Sequence, residues 1–473
     1  MKELILNNPL ILIFILLIGL IYTFVAFHYT GTDKTLAANL EKICLGIFLI
    51  SIAGATGATI NPFDKLHPLV LSLQGTTLPT IAGQLGIYSL CLFLLFSRLR
   101  YTLKDFIHVL AVLLRTAPFF CAFILLFSLS FSWSNSATVT LKTTFVYLET
   151  TLIAIYLGKQ YSWREIFSFW RWVNIIIVII CIYYGFFVPS VGVGPLGWQG
   201  ILGHKNQFSF IMAQTAVLWL MHAFYSPKQR YLSLVFVLLS LFALQEGGSG
   251  ASKVLVVALL SLWVYFGFVK KLKVQWAFVS VILFMILSVC LTILVTENLE
   301  FIVVDTLNKD MTITGRTDFW PIIINKINQQ PILGYGLAGF WQPWRGADNP
   351  GGDIIVAASQ FRPGHSHNGF LDVAVDLGWL GLSLYACSFL NNIAKSVVYL
   401  SRNRLPEAGL PLLLSTYILL TNFTETGLLG VTSIWFFYVV MTTRLSLDTI
   451  EKTSKPKREA APAQYNWTST QNY

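Results

Sequence analysis

The sequence predicts an all-α polytopic membrane protein with about twelve to thirteen transmembrane helices and one large extracytoplasmic loop. Three observations predict it. Hydrophobic residues make up 55% of the chain and charged residues 11%, whereas an average soluble domain is about a quarter charged. Apolar runs of about 17–25 residues, the length a helix needs to cross the hydrocarbon core, recur throughout. Lysines and arginines gather at alternate ends of those runs, as they do in loops retained on the cytoplasmic side.

In chain order, candidate spans fall near 5–27, 38–58, 79–97, 106–128, 138–158, 166–188, 207–225, 231–246, 253–269, 275–296, 367–390, 408–423 and 428–446. The first is too long for the apolar core of a signal peptide and shows no small-residue cleavage site before the next span, so it reads as a retained anchor. Basic residues follow every second span: Arg98, Arg100 and Lys104; Lys159, Arg164 and Arg171; Lys228 and Arg230; Lys270, Lys271 and Lys273; Lys395, Arg402 and Arg404; and Lys452, Lys455, Lys457 and Arg458 in the tail. Those ends are expected inside, which puts 189–206, 247–252, 297–366 and 424–427 outside. Thirteen spans then require an outside N-terminus behind a start as short as Met1-Lys2-Glu3, unless one early span is miscounted or re-entrant. The expected organisation is 1–296 as N-terminal transmembrane helices, 297–366 as a large periplasmic loop, 367–446 as C-terminal transmembrane helices and 447–473 as a cytoplasmic tail.

The net charge of +10 does not mark a nucleic-acid binder, because the basic residues are scattered among loops and form no stripe. The six cysteines sit in or beside apolar runs, and neither a disulfide framework nor a zinc spacing is present. Two charges fall inside predicted spans, Arg115 and Glu149. At about 1.5 Å per residue they reach similar depth on antiparallel neighbours, so a structural ion pair is expected, with a proton relay as the other reading.

A connection as long as 297–366 is usually functional or disordered, and this one has structure in its pattern. Thr317–Gln329 is amphipathic, with Phe319, Trp320, Ile323, Ile324 and Ile327 for a buried face. A turn follows at Pro331–Gly336, then Trp341 and Trp344, which suit either sugar stacking or the membrane interface. The segment Arg362-Pro363-Gly364-His365-Ser366-His367-Asn368-Gly369 runs into the next span and places His367 at a helix N-terminus, where backbone N–H groups favour an anion such as phosphate. A purely structural histidine is the competing reading. His365 and His367 could also form a metal pair with Asp348 or Asp353, but the spacing does not favour it and no metal is expected. Arg316 offers a fixed fork of donors to a phosphate or, alternatively, a solvated pair with Asp318. His204, Lys205 and Asn206 stand at one outside span start and Gly247–Lys253 at another; Glu425 lies in the shortest outside turn. Asp372 and Asp376 follow His367 by one and two helical turns. Individually each signal is weak, but all fall on one predicted face of the membrane.

These residues resemble the O-antigen ligase and polymerase superfamily, most closely its exopolysaccharide polymerase branch. The resemblance rests on His367-Asn368 followed nine residues later by Gly378-Trp379-Leu380-Gly381, on Gly315-Arg316, on Pro331-Ile332-Leu333-Gly334-Tyr335-Gly336, on Gly203-His204-Lys205-Asn206 and on the long loop. It implies a metal-independent glycosyltransferase without cofactor in the bacterial plasma membrane. Its substrate would be a polyprenyl-diphosphate-linked oligosaccharide, with membrane lipid and chain-length regulator or export proteins as partners and no nucleic acid. By the resemblance, His367 and Arg316 carry the catalytic roles. Arg316, Lys205, Arg362 and Arg345 would hold the diphosphate, with His365, Asn368, His204, Asn206, Glu425 and Asp372 in support. Where the ligases use a second arginine this sequence has Lys205, a point charge without the planar fork. Polymerisation of repeat units is the expected activity. A ligase acting on a lipid or protein acceptor, a solute transporter such as one for bicarbonate, and a non-catalytic assembly partner are the alternatives.

Overall fold

The computed structural model describes residues 33–53, 102–307, 316–342, 345, 348–355, 363–429 and 432–454. These form an all-α polytopic membrane fold. The helices of more than one turn are α1 (Lys34–Ile52), α2 (Thr102–Thr116), α3 (Pro118–Leu129), α4 (Ala137–Gln160), α5 (Trp163–Phe187), α6 (Lys205–Tyr225), α7 (Arg230–Gly247), α8 (Gly250–Val269), α9 (Val274–Leu307), α10 (Arg316–Gln329), α11 (Gly369–Arg402), α12 (Leu410–Thr424) and α13 (Ser433–Ser454). One two-residue hairpin, β1 (Val193–Gly194) against β2 (Gly197–Trp198), interrupts the helices before α6.

Local chemistry sets the helix starts. Ser162 and Glu165 form a reciprocal capping box on α5. Asn368 caps α11 by accepting from the N–H groups of Phe370 and Leu371. Gly248 ends α7 in the left-handed region with a φ of 62°, a conformation that costs glycine little.

Six described helical segments are long and apolar enough to cross a membrane: Trp163–Phe187, Lys205–Tyr225, Pro227–Gly247, Gly250–Val269, Val274–Val295 and Gly369–Arg402. They coincide with predicted spans 166–188 to 275–296 and 367–390. Spans 5–27 and 79–97, and the far end of 38–58, lie outside the described residues. The remaining predicted spans correspond to α4, α12 and α13, which are shorter or more polar than those six. Helix α9 continues past the predicted edge at 296 to Leu307.

The predicted span 106–128 is not one helix. It breaks at Ala117, and the two parts meet at 107°, because Pro118 has no N–H to continue the ladder of α2 and its ring blocks the preceding turn. The break also undoes the expected Arg115–Glu149 pair. Arg115 is exposed at the end of α2, Glu149 is buried in α4, and no ion pair joins them among the described residues. Equal depth along two straight helices was the wrong geometry. Arg171, counted with the cytoplasmic loop, is instead buried two turns inside α5, its guanidinium 4.3 Å from the Trp219 ring centre.

An aromatic core fixes α3, α4, α11 and α13 against one another. Tyr147 stacks on Trp435 at 4.8 Å, Phe127 meets Tyr147 edge-on at 5.0 Å, and Tyr385 lies 5.2 Å from Tyr438. Because lipid tails are as apolar as these rings, what holds the helices together here is close van der Waals packing and ring geometry, not removal of the rings from water. A smaller cluster of Phe319, Ile323, Ile327, Tyr335, Phe340, Ile354, Ala374 and Val375 seats α10 and the following loop on the first turns of α11. The buried face expected for Thr317–Gln329 is therefore present at Phe319, Ile323 and Ile327, whereas Ile324 is exposed.

Candidate active site

The loop after α10 is stitched into a fault in α11. Gly378 has a φ of 68° and a ψ of −175°, so the helix is interrupted there. Its interruption leaves backbone groups that the loop satisfies: Tyr335 N–H donates to the Val375 carbonyl at 3.0 Å, Gly336 N–H to that of Asp376 at 2.8 Å, and Trp379 N–H to that of Pro331 at 2.8 Å. A Cβ on Gly378 would overlap the carbonyl of Ile332, and one on Gly334, itself at a φ of 63°, the carbonyl of Val375. The two glycine motifs noted in the sequence thus face each other, and both need glycine for conformation and for space. One oxygen of the buried Asp376 accepts from Ala338 N–H at 2.8 Å, which pins the loop one turn further on.

At the mouth of α11, residues 365–368 form a tight turn. Ser366 Oγ donates to the Asn368 carbonyl at 2.6 Å and accepts from Asn368 N–H at 3.1 Å. His367 N–H donates to His365 Nδ1 at 3.2 Å, and His367 itself has a φ of 53°. A positive φ is uncommon for a residue with a side chain and costs of order 1–3 kcal/mol, strain that collects at functional sites. Asp372 ties the turn down: it accepts from Ser366 N–H at 3.1 Å, from Trp341 Nε1–H at 2.8 Å and from the Thr426 hydroxyl. Trp320 Nε1–H donates to the Ser366 carbonyl at 3.0 Å. Trp320 and Trp341 therefore act here as hydrogen-bonding struts of the turn. Trp344 lies outside the described residues.

Two other segments, the end of α12 and the start of α6, converge on this turn. His367 Nδ1 lies 3.2 Å from Glu425 Oε2, at the end of α12. The other carboxylate oxygen of Glu425 accepts from Asn206 Nδ2 at 2.6 Å, at the start of α6. His204 caps α6 by accepting from Asn206 N–H at 3.3 Å. Lys205 is the first residue of the same helix. An ionised carboxylate can only accept, so the proton between His367 and Glu425 belongs to Nδ1, and Nε2 is the nitrogen that carries the lone pair in the neutral form of that ring. His365 Nδ1 already accepts from the backbone, which commits that ring to the opposite tautomer. Burial holds His365 below the usual histidine range, helped by nearby His367 and His204 and opposed by Glu425 and Asp372. It is therefore neutral at pH 7.

His365, His367 and Glu425 bring ligand-type atoms within 4.8 Å of one another, a donor set that could hold a divalent cation. The third member is Glu425; of the acids considered from the sequence, Asp353 instead pairs with Lys326 at 2.9 Å. Arg345 donates to Ser136 and Gln342, both at 3.2 Å. Arg316 begins α10, but its side chain, like all of Arg362, lies outside the described residues. The Gly247–Lys253 turn is a packing feature: Ser249 and Ser252 are buried and bonded to each other at 3.1 Å, while Lys253 is exposed. Sequence reasoning missed Thr426, which bonds Asp372, and Asn422, whose Oδ1 accepts from Gly427 N–H at 2.9 Å and abuts Gly369. Their signal was a stretch of polar residues broken only by Phe423, Thr421-Asn422-Phe423-Thr424-Glu425-Thr426, at the end of an apolar helix.

Residues 234–386 match the family model described as O-Antigen ligase. Three rickettsial proteins, provisionally named polysaccharide ligases, align with 72 residues of the chain: one from Rickettsia typhi at 38% identity, one from Rickettsia prowazekii at 39% and one from Rickettsia conorii at 36%. The aligned segment is 15% of this chain and 17–18% of theirs, so the chain spans under a fifth of the length of these relatives.

Proposed function

We propose that this protein is a metal-independent glycosyltransferase of the bacterial plasma membrane that polymerises polyprenyl-diphosphate-linked oligosaccharide repeat units on the outer face. The observation that carries the reading is the His367–Glu425 pair at 3.2 Å, beside a helix mouth, with His367 inside the segment matched by the O-Antigen ligase family model and Glu425 beyond its end. A histidine oriented by a carboxylate through one ring nitrogen is equipped to take a proton at the other. In the proposed reaction, Nε2 of His367 takes the proton of an acceptor sugar hydroxyl as its oxygen bonds to the anomeric carbon. The bond from that carbon to the diphosphate oxygen breaks, and its electron pair leaves with the lipid diphosphate. Arg316, Lys205, Arg362 and Arg345 supply the positive charge for the leaving group in this scheme, with fixed donors worth most where water is excluded. Residues 297–366, which include the last turns of α9, then lie on the periplasmic side between two sets of transmembrane helices, and the tail after 446 is cytoplasmic.

A second reading, a single transfer of a finished glycan to a lipid or protein acceptor, is favoured by the names of the rickettsial relatives. One assay separates the two. Purified protein is incubated with a polyprenyl-diphosphate oligosaccharide, with and without an added lipid acceptor. A ladder of products supports polymerisation, and one product that requires the acceptor supports the ligase. Absence of transfer under both conditions removes the transferase reading.

A further inference from the structure

A second concave surface lies on the same loop that holds the histidine turn. It is a cleft of about 910 Å³ lined among others by Asn135, Lys326, Gln329, Gln330, Tyr335 and Asp348, a volume in the range of ligand sites. Its lining comes from three parts of the chain: the segment before α4, the end of α10, and residues 335–353. Asn135, Gln329, Gln330 and Asp348 are exposed, so four polar side chains face solvent in one hollow, where a ligand can replace the water around them.

Its charge pattern selects against an anionic ligand. The single lysine, Lys326, is paired with Asp353 at 2.9 Å, and the remaining charged group among the lining residues, Asp348, is acidic. What remains is mainly amide, and an amide both donates and accepts, as a sugar hydroxyl does. The floor is firm. Asn349 accepts from Gln342 N–H at 3.1 Å and Gly351 N–H at 3.2 Å, and Tyr335 OH donates to the Lys326 carbonyl at 3.3 Å. It is also coupled to the histidine turn: Tyr335 packs on Phe340 at 5.1 Å, Phe340 on Trp341 at 4.9 Å, and Trp341 donates to Asp372.

We propose that this cleft is a carbohydrate subsite, which holds sugar residues of a glycan several units from the bond that reacts. The inference rests on the transferase reading for its role in turnover, but not for binding itself. Uncharged hydroxyl-rich units fit the amides of Asn135, Gln329 and Gln330, while the diphosphate end belongs elsewhere. Donor and acceptor glycans share this chemistry, and their lengths can be varied independently.

The test uses full-length protein in lipid nanodiscs and the triple variant Asn135→Ala/Gln329→Ala/Gln330→Ala. Its first arm is saturation-transfer NMR with soluble oligosaccharides of one to four repeat units, released from the producing cell's own surface glycan. Saturation of sugar protons is expected with the wild type and with His367→Ala, and is expected to be lost in the triple variant. Its second arm measures kcat/KM for short and long substrates. A roughly tenfold fall in the long-to-short ratio is expected for whichever partner, donor or acceptor, occupies the cleft. Equal saturation in wild type and triple variant, or an unchanged length ratio in an active protein, overturns the proposal. If the wild type binds the oligosaccharides but transfers nothing, the transferase reading fails while the subsite stands.

Discussion

Nδ1 of His367 lies 3.2 Å from Oε2 of Glu425, across 58 residues of chain and between two different helix ends. The second carboxylate oxygen is held by Asn206 from a third helix. Such a pair is fixed in orientation from both sides, as a group that must present one nitrogen to a substrate requires.

In the proposed mechanism His367 takes the acceptor's proton, so His367→Ala is expected to lower kcat by about 10²–10⁴-fold in a transfer assay. Glu425→Gln keeps the size but turns an anionic acceptor into an amide, and a loss of at least tenfold is expected with little change in KM. Retention of full activity by both variants would mean that the pair is structural.

Asp372 accepts from a backbone N–H, an indole and a hydroxyl. Asp372→Ala strands these three donors at the base of the histidine turn and is expected to cost about 3–5 kcal/mol, the low end of about 1–3 for each orphan, because only Ser366 is fully buried. Thermal unfolding in detergent measures it. Trp341→Phe removes one donor and keeps most of the packing, so its loss should be near 1–2 kcal/mol.

Gly378→Ala and Gly334→Ala each place a Cβ against a backbone carbonyl at a positive φ. Both are expected to unseat the loop from α11 and to lower the melting temperature by several degrees. Gly364→Ala meets nothing within 4 Å and should be neutral, which makes it the control.

His365 is held below the usual histidine range by burial first. The unfolded chain then takes up the proton before the folded one does, so stability is full above about pH 6.5 and is lost as pH falls towards the lowered folded value. Melting temperature followed from pH 8 to pH 5 should drop, and His365→Asn should flatten that drop. An unchanged slope would assign it to other groups.

The proposed chemistry does not use a metal, although His365, His367 and Glu425 are close enough to bind one. Treatment with a chelator is expected to leave transfer within twofold of the untreated rate. Loss of activity that zinc or manganese restores would reassign these three residues as ligands.

The fold class was legible because bilayer thickness writes itself into the length of apolar runs, and α5 to α9 and α11 fall where those runs are. The break at Pro118 was legible as chemistry but was passed over, and the Arg115–Glu149 pairing failed with it. For the site, His204, Asn206, His367, Asp372 and Glu425 were singled out because they share one predicted face, and the structure brings them into one network. Which atoms meet was not legible, since a contact between Asn206 and Glu425 spans 219 residues and no local periodicity encodes it. Thr426 escaped because the polar stretch 421–426 at the end of an apolar helix marks a place and does not say which of its hydroxyls meets Asp372. Gly378 and Gly334 were noticed as parts of a motif; only their mutual contact shows what demands them.

Because Glu425 lies so late in the chain, the order of synthesis has a bearing on the histidine turn. A ribosome has already made α1 to α11, and His367 with them, before the carboxylate that orients that ring exists. Any chain ending ahead of α12 therefore carries a histidine without its partner, so truncated products are expected to be inert and not merely weakened. In the proposed mechanism the histidine turn is complete only once α12 has packed beside α11.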